Sequence, residues 1–154
     1  MGLVRAPVPG TVVALDDVPD EVFATRMLGP GLAVVPDDVP ELDAFAPVAG
    51  TLGSLYPHAA VVLDAGRRDR PVLVHLGLDT VELKGEGFTL HAEIGQQVLV
   101  GDSLVTWSPG QVLASGRSPV CPVLALGVGA EAVELIAAPG THVVVGDPLF
   151  DWLG

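Results

Sequence analysis

The chain has 154 residues, a formal net charge of −12 and hydrophobic residues at 49% of its positions. This length predicts a single domain over residues 1–154 with a proper core. The negative charge argues against nucleic-acid binding, because that affinity comes from Lys and Arg side chains that neutralise phosphates. We also expect a cytoplasmic protein without direct membrane insertion, because no apolar run is long enough to cross a bilayer and no signal-peptide pattern is present.

Short valine-rich runs alternate with turn residues along the chain. The 19 glycines and 14 prolines are scattered rather than gathered in one linker. This pattern predicts an all-β fold, an antiparallel β-sandwich or barrel-like sandwich with short helical turns. The best helical candidate is residues 19–24, which carry acidic residues in the first turn. Residues 110–122 are rich in Gly, Ser and Pro and predict an exposed loop.

Two sequence patterns each occur twice. Residues 6–12, Ala-Pro-Val-Pro-Gly-Thr-Val, return at residues 46–52 as Ala-Pro-Val-Ala-Gly-Thr-Leu. Residues 95–107 and 140–152 share a valine-containing run, a Gly-Asp pair and a second apolar run. The glycine of each pair favours a turn conformation that other residues resist. We therefore predict a sandwich with two parts related by pseudo-symmetry and the strand of His75 between them.

The side chains that could carry chemistry are mainly histidines. The single Cys121 can form neither an internal disulfide nor a cysteine metal site. His91 and His142 lie in segments that we expect to face solvent.

His58 and His75 each adjoin an apolar run, and the residues between those runs have the composition of a turn. If the runs pair as a hairpin, the two histidines lie on adjacent strands and their rings can meet. The pair then fits a zinc site with Asp79, a nucleophile with an orienting partner, or a structural histidine whose ring is satisfied in the core.

The segment that starts at His75 narrows this choice. Residues 75–88 read His-Leu-Gly-Leu-Asp-Thr-Val-Glu-Leu-Lys-Gly-Glu-Gly-Phe. This run closely resembles the phosphorylated-histidine segment of the glucose-family IIA proteins of the bacterial phosphoenolpyruvate-dependent sugar phosphotransferase system. The likeness extends to residues 6–10, 17–24, 46–51 and 101–102. Most of the chain therefore resembles one type 1, or glucose-family, IIA domain.

The resemblance implies a phosphoryl carrier, that is, a phosphotransferase component. His75 would accept the phosphoryl group on Nε2 from the phosphocarrier protein HPr, and His58 would be the second active-site histidine. The acceptor would be the IIB domain of a sugar permease during sugar uptake, and other regulatory targets are compatible. No cofactor is required, although zinc at His58 and His75 is a further expectation. The implied partner-docking surface comprises Asp20, Phe23, Met27, Leu28, Leu76, Leu78, Asp79 and Val81.

The chain departs from the family pattern just before His58. Tyr56-Pro57 stands where a Thr-Asn pair is usual, so the family threonine near the phosphoryl group has no clear counterpart. Two other interpretations remain. A lipoyl or biotinyl carrier domain has similar turns, but it needs a modified lysine at a hairpin tip, and Lys84 is the only lysine. A regulatory binding domain would keep the apolar face without a reactive His75.

Overall fold

Strands dominate the computed structural model, which describes residues 2–67 and 69–154. In chain order they are β1 (Leu3–Arg5), β2 (Gly10–Ala14), β3 (Gly31–Pro36), β4 (Leu42–Phe45), β5 (Gly50–Tyr56), β6 (Ala59–Asp64), β7 (Pro71–His75), β8 (Phe88–Leu90), β9 (Gln97–Val98), β10 (Ser103–Trp107), β11 (Cys121–Ala125), β12 (Val133–Leu135), β13 (His142–Val143) and β14 (Pro148–Trp152). The α-helices are α1 (Glu21–Ala24) and α2 (Pro109–Ala114), and turns of 3-10 helix cover Leu15–Asp17, Thr80–Leu83 and Ala130–Ala132.

The described strands form one eight-stranded sheet and two three-stranded sheets. The large sheet has the order β13-β2-β3-β11-β7-β6-β5-β9, and the small sheets have the orders β1-β14-β12 and β4-β10-β8. Each of these strand pairs is antiparallel. One core joins all three sheets, as the buried Val74, Trp107 and Phe150 illustrate. The predicted antiparallel β-sandwich is thus confirmed.

The two repeated sequence patterns occupy equivalent places in the fold. The amide of Ala6 donates to the carbonyl of Asp147 at 2.8 Å, and the amide of Ala46 donates to the carbonyl of Asp102 at 2.9 Å. Likewise β13 pairs with the start of β2, and β9 pairs with the start of β5. The sheet order is symmetric about the contact between β11 and β7. The predicted pseudo-symmetry is therefore confirmed. The prediction that the His75 strand lies between the two parts is wrong, because β7 belongs to one part and pairs with its counterpart β11 of the other.

Strand β7 lies at the centre of the large sheet, between β6 and β11. Its three inner residues, 72–74, are all buried, because the main core covers one face of the strand and a smaller cluster covers the other. That smaller cluster includes Phe23, Leu73 and Leu78. His75 is the last residue of β7, where the strand leaves the core and its side chain becomes half-buried.

The helix prediction at residues 19–24 is confirmed by α1. The Asp20 side chain accepts a hydrogen bond from the Val22 amide at 2.9 Å, which satisfies a free donor of the first turn. The loop prediction for residues 110–122 is correct only for residues 115–120, because residues 110–114 belong to α2 and residues 121–122 begin β11. Ser108 caps α2 by accepting from the Gln111 amide, and the buried Val112 fixes the helix to the core. This packing outweighs the loop-like composition.

Candidate functional site

His75 lies at the end of β7, opposite Ala59 of β6. Its ring contacts the ring of Phe23, with 5.3 Å between the ring centroids. Phe23 is only 6% exposed, so one side of the imidazole rests on a fixed aromatic support. A half-buried ring at a strand end has few rotamers available and still reaches the surface.

A backbone hydrogen bond determines which nitrogen of His75 carries the proton. Nδ1 lies 2.6 Å from the carbonyl oxygen of Gly77. A carbonyl oxygen can only accept, so Nδ1 must be the donor, and in the neutral ring Nε2 then has a free lone pair. This contact leaves Nε2 as the ring nitrogen of His75 that is available to an electrophile.

The loop after His75 turns back, so that the Gly77 carbonyl faces the His75 ring. Gly77 has φ of 81°, a conformation that costs glycine little. A Cβ atom at Gly77 would lie 2.7 Å from Thr80 Cγ2, so no larger residue fits there without displacement. Asp79 also adopts the left-handed region, at φ 57°, just before the 3-10 turn Thr80–Leu83. The sequence alone indicates no role for Gly77 or Thr80, although a glycine two residues after the histidine is a signal that could have pointed to this loop.

His58 lies beside His75, with 5.4 Å between the ring centroids and an edge-on arrangement. The predicted hairpin between the two apolar runs is confirmed as the pair β6–β7. The prediction that His58 lies on the first strand of that hairpin is wrong, because Pro57 and His58 form the two-residue turn between β5 and β6. The His58 carbonyl accepts from the Leu76 amide at 2.7 Å, which holds the turn against the end of β7.

Tyr56 contacts the ring of His58. It is the last residue of β5, is 59% exposed, and its ring centroid lies 5.9 Å from that of His58. The residue that replaces the usual threonine-containing pair therefore contacts the second histidine and restricts its ring.

The predicted docking residues divide into two groups. Met27 is 71% exposed, Val81 is 60% exposed and Leu28 is 39% exposed. Asp79 is also exposed, and Asp20 is half-buried at the cap of α1.

Leu76 and Leu78 are 2% and 4% exposed, because the chain turns them into the two clusters below the site. Their prediction as surface residues is wrong, and Phe23 at 6% exposed likewise supports the face from below.

The remaining predicted candidates lie away from these two rings. His91 and His142 are exposed as expected, and their Nε2 atoms contact Thr106 and Asp37. Cys121 is buried, and burial raises the pKa of its thiol to about 12, so it is unreactive at neutral pH. Lys84 ends a 3-10 turn and not a β-hairpin, which disfavours a lipoyl or biotinyl carrier.

Metal binding finds little support in this arrangement. Within residues 2–67 and 69–154 no three His, Cys, Asp or Glu side chains are placed to hold a metal ion. Zinc in proteins is almost always four-coordinate, and catalytic sites use three protein ligands. His58 and His75 would supply two of them, so the predicted zinc site is incomplete in the described part of the chain.

Burial lowers the pKa of both histidines. For His75 the loss of solvent is the main cause and the nearby His58 adds to it, whereas the Gly77 carbonyl, Asp20 and Asp79 oppose it by favouring the charged ring. For His58 the cause is burial. Both rings are therefore mainly neutral at pH 7, which suits a nucleophile and a neighbour that can become charged when an anion arrives.

We expect this shift to appear in titrations. The midpoint of His75 in the folded chain should lie below the roughly 6.5 of an unperturbed histidine, and ¹⁵N NMR of the ring nitrogens in folded and urea-unfolded chain would measure both values. Below about pH 6.5 the unfolded chain binds more protons than the folded one, so the free energy of unfolding should fall as the pH is lowered. An Asp79→Asn variant should lower the His75 midpoint further, and a folded midpoint above the unfolded one would contradict this explanation.

Proteins of known family resemble this chain in both sequence and structure. Residues 3–131 match the family described as phosphoenolpyruvate-dependent sugar phosphotransferase system, EIIA 1. The chain belongs to this family. It is a phosphotransferase component of the sugar phosphotransferase system, in which EIIA proteins carry phosphoryl groups on a histidine.

Two relatives show how far the similarity extends. The glucose-specific EIIA component of Halalkalibacterium halodurans is 41% identical over 133 residues, which is 85% of this chain and 74% of the relative. The solved structure of glucose permease IIA from Mycoplasma capricolum superposes with a TM-score of 0.84 at 37% identity, covering 96% of this chain and 93% of the other. No helix among the described residues of this EIIA-family chain is long and apolar enough to span a membrane.

Proposed function

We propose that His75 accepts a phosphoryl group on Nε2 from phospho-HPr and passes it to a IIB domain of a sugar permease during sugar uptake. The observation that carries this assignment is the 2.6 Å contact between Nδ1 of His75 and the Gly77 carbonyl. It leaves the Nε2 lone pair free on a half-buried, mainly neutral ring that has His58 beside it.

The accepting step is a transfer between two imidazoles. The Nε2 lone pair of His75 forms a bond to phosphorus while the nitrogen–phosphorus bond of the donor histidine breaks, and its electron pair returns to the donor. In the onward step a cysteine thiolate of the IIB domain attacks phosphorus, and the bond to Nε2 breaks. Neither step needs a metal ion as written. Such reactions depend chiefly on in-line positioning and on stabilising the charge of the phosphoryl oxygens.

His58 is the group placed to stabilise that charge. Its ring lies next to His75, and an imidazole N–H can donate to a phosphoryl oxygen. Arrival of the phosphoryl anion would raise the pKa of His58 and favour its charged form. Phe23 holds the His75 ring in place and keeps water from its inner side.

The proposed docking face is built from the segments that adjoin His75. Its apolar part is the exposed Met27 and Leu28, which follow α1, and Val81 of the 3-10 turn after His75. Its acidic part is Asp20 and Asp79. With a net charge of −12, the chain should attract a partner that carries basic residues around its own reactive group. Relay contacts of this kind are expected to be small and short-lived.

Reconstitution of the relay tests the assignment. The chain is incubated with phosphoenolpyruvate, enzyme I and HPr, and the product is assayed for acid-labile phosphate by intact mass and peptide mapping. We expect one phosphoryl group per chain on the peptide that contains His75. A purified IIB domain should then remove it. A label on any other peptide would refute the assignment of His75.

The exposed methionine gives a test of the docking face. Replacing Met27 by asparagine should raise the KM for phospho-HPr about tenfold, because a polar amide must lose water in the complex without gaining a partner. The turnover number and the melting temperature should change little, since Met27 is 71% exposed.

Leu99 provides the matched control for that variant. It is 68% exposed and follows β9, which pairs with the end of β5 remote from Tyr56. Leu99→Asn should leave the KM unchanged. Equal effects of Met27→Asn and Leu99→Asn would place the docking surface elsewhere.

A further inference from the structure

Thr80 is an almost completely buried polar residue next to the loop of Gly77. It is 1% exposed, and its hydroxyl donates to the Leu76 carbonyl at 2.7 Å. Its methyl group fills the space in which a Cβ atom of Gly77 would lie. Because the hydroxyl is hydrogen-bonded, its burial costs little free energy. Valine would fill the same volume but could not bind the Leu76 carbonyl, so the hydroxyl contributes something that packing alone does not.

Thr80 binds the Leu76 carbonyl, which belongs to the Leu76–Gly77 peptide unit. The next unit, Gly77–Leu78, carries the carbonyl that contacts His75. The amide of Leu76 donates to the His58 carbonyl at 2.7 Å, so Leu76 is held on both of its polar atoms. In the following peptide unit the Gly77 carbonyl accepts from His75. The amide of that unit, from Leu78, donates to the Ser118 carbonyl at 2.8 Å. The buried Cys121 thiol also interacts with the Gly77 backbone, and the remaining anchors are backbone atoms. Thr80 is the side chain whose hydroxyl can be removed at nearly constant volume to test this loop.

The loop needs such an anchor because its own conformational preferences are weak or adverse. Glycine at position 77 has wide conformational freedom, and Asp79 holds a left-handed conformation that residues other than glycine adopt less readily. If the Leu76–Gly77 peptide shifts, the backbone can rotate at Gly77, and the Gly77 carbonyl of the next peptide unit can then leave Nδ1 of His75. The proton of the ring can then move from Nδ1 to Nε2. In that tautomer Nε2 has no free lone pair with which to bond to phosphorus.

We propose that Thr80 is a positioning residue for phosphoryl transfer, whose hydroxyl fixes the Gly77 carbonyl and so keeps the proton of His75 on Nδ1. The consequence for transfer rests on the proposed role of His75 as acceptor. The placement of the proton is a property of the free chain and does not depend on that role.

Two matched pairs of variants separate the hydroxyl from the methyl group. Wild type and Thr80→Val differ by the hydroxyl at nearly constant volume, and Thr80→Ser and Thr80→Ala differ by the hydroxyl alone. The ¹⁵N chemical shifts of the His75 ring at neutral pH report the tautomer in the chain without partners. We expect Nδ1–H to dominate in wild type and Thr80→Ser. The Nε2–H form should grow in Thr80→Val and Thr80→Ala, with phosphorylation by phospho-HPr slowed about tenfold.

Unchanged His75 shifts in the variants that lack the hydroxyl would overturn the proposal. A Thr80→Ser variant that loses as much of the Nδ1–H tautomer as Thr80→Val would also overturn it, because keeping the hydroxyl would then not preserve the tautomer. If Thr80→Val does not fold, the serine–alanine pair decides the question by the same shifts. A wild-type chain with the Nδ1–H tautomer but no phosphate on His75 would refute the proposed function and leave the placement of the proton standing.

Discussion

We expect His75→Ala to abolish phosphorylation by phospho-HPr, lowering the rate by more than about 1,000-fold, because the nitrogen that bonds to phosphorus is gone. The neighbouring His58 cannot replace it. It lies in the turn before β6, and within residues 2–67 and 69–154 no backbone carbonyl binds its ring to fix a tautomer as Gly77 does for His75. The measurement is the rate of acid-labile phosphate incorporation with phosphoenolpyruvate, enzyme I and HPr.

Controls for this variant come from the other histidines and from a second substitution. His91→Ala and His142→Ala remove exposed rings on other parts of the surface and should be phosphorylated at the wild-type rate. His75→Gln keeps a polar side chain against Phe23, so it should fold like wild type and still accept no phosphate. Persistent labelling of a folded His75→Ala chain would show that the acceptor is another residue.

Replacing His58 by glutamine should impair onward transfer far more than acceptance. In the accepting step a neutral imidazole attacks, whereas in the onward step an anionic thiolate approaches the charged phosphoryl group. A cationic neighbour matters most where the repulsion is greatest. Glutamine keeps an N–H donor but cannot become charged. We expect acceptance from phospho-HPr within a few-fold of wild type and transfer to the IIB domain slowed on the order of 100-fold.

Two further measurements test the reason for this effect. NMR titration of the phosphorylated chain should give a His58 pKa above that of the free chain, in which burial lowers it. His58→Ala removes the donor as well as the charge, so it should slow both steps. A His58→Gln chain that phosphorylates the IIB domain at the full rate would exclude a role for the charge of His58.

The sequence predicted the fold class, the pseudo-symmetry and the pairing of the runs before and after Asp64. These features follow from local patterns, because alternating apolar residues and repeated Gly-Asp turns act over a few positions. The helix at α1 was predictable for the same reason, since an acidic first turn and the Asp20 cap are local signals. The two ends of residues 110–122 were predicted wrongly as loop, because composition alone does not show that Val112 and Cys121 are buried by the rest of the chain.

The position of His58 and the burial of Leu76 and Leu78 were missed for a related reason. Sequence spacing does not show where a hairpin turn ends, and a shift of one residue changes the face on which a side chain lies. The apolar residues after His75 were therefore predicted at the surface, although the loop carries them into the clusters beneath it.

The sequence by itself determined that this chain is an EIIA-type sandwich with its central histidine at position 75, because residues 75–88 form one continuous and specific run. The tertiary structure decided which ring nitrogen is available. That choice depends on a carbonyl acceptor 2.6 Å from Nδ1, on the Thr80 hydroxyl and Ser118 carbonyl that hold the loop, and on the burial that keeps the ring neutral. Ser118 is distant in sequence from His75, and only folding brings it into contact with the loop after β7.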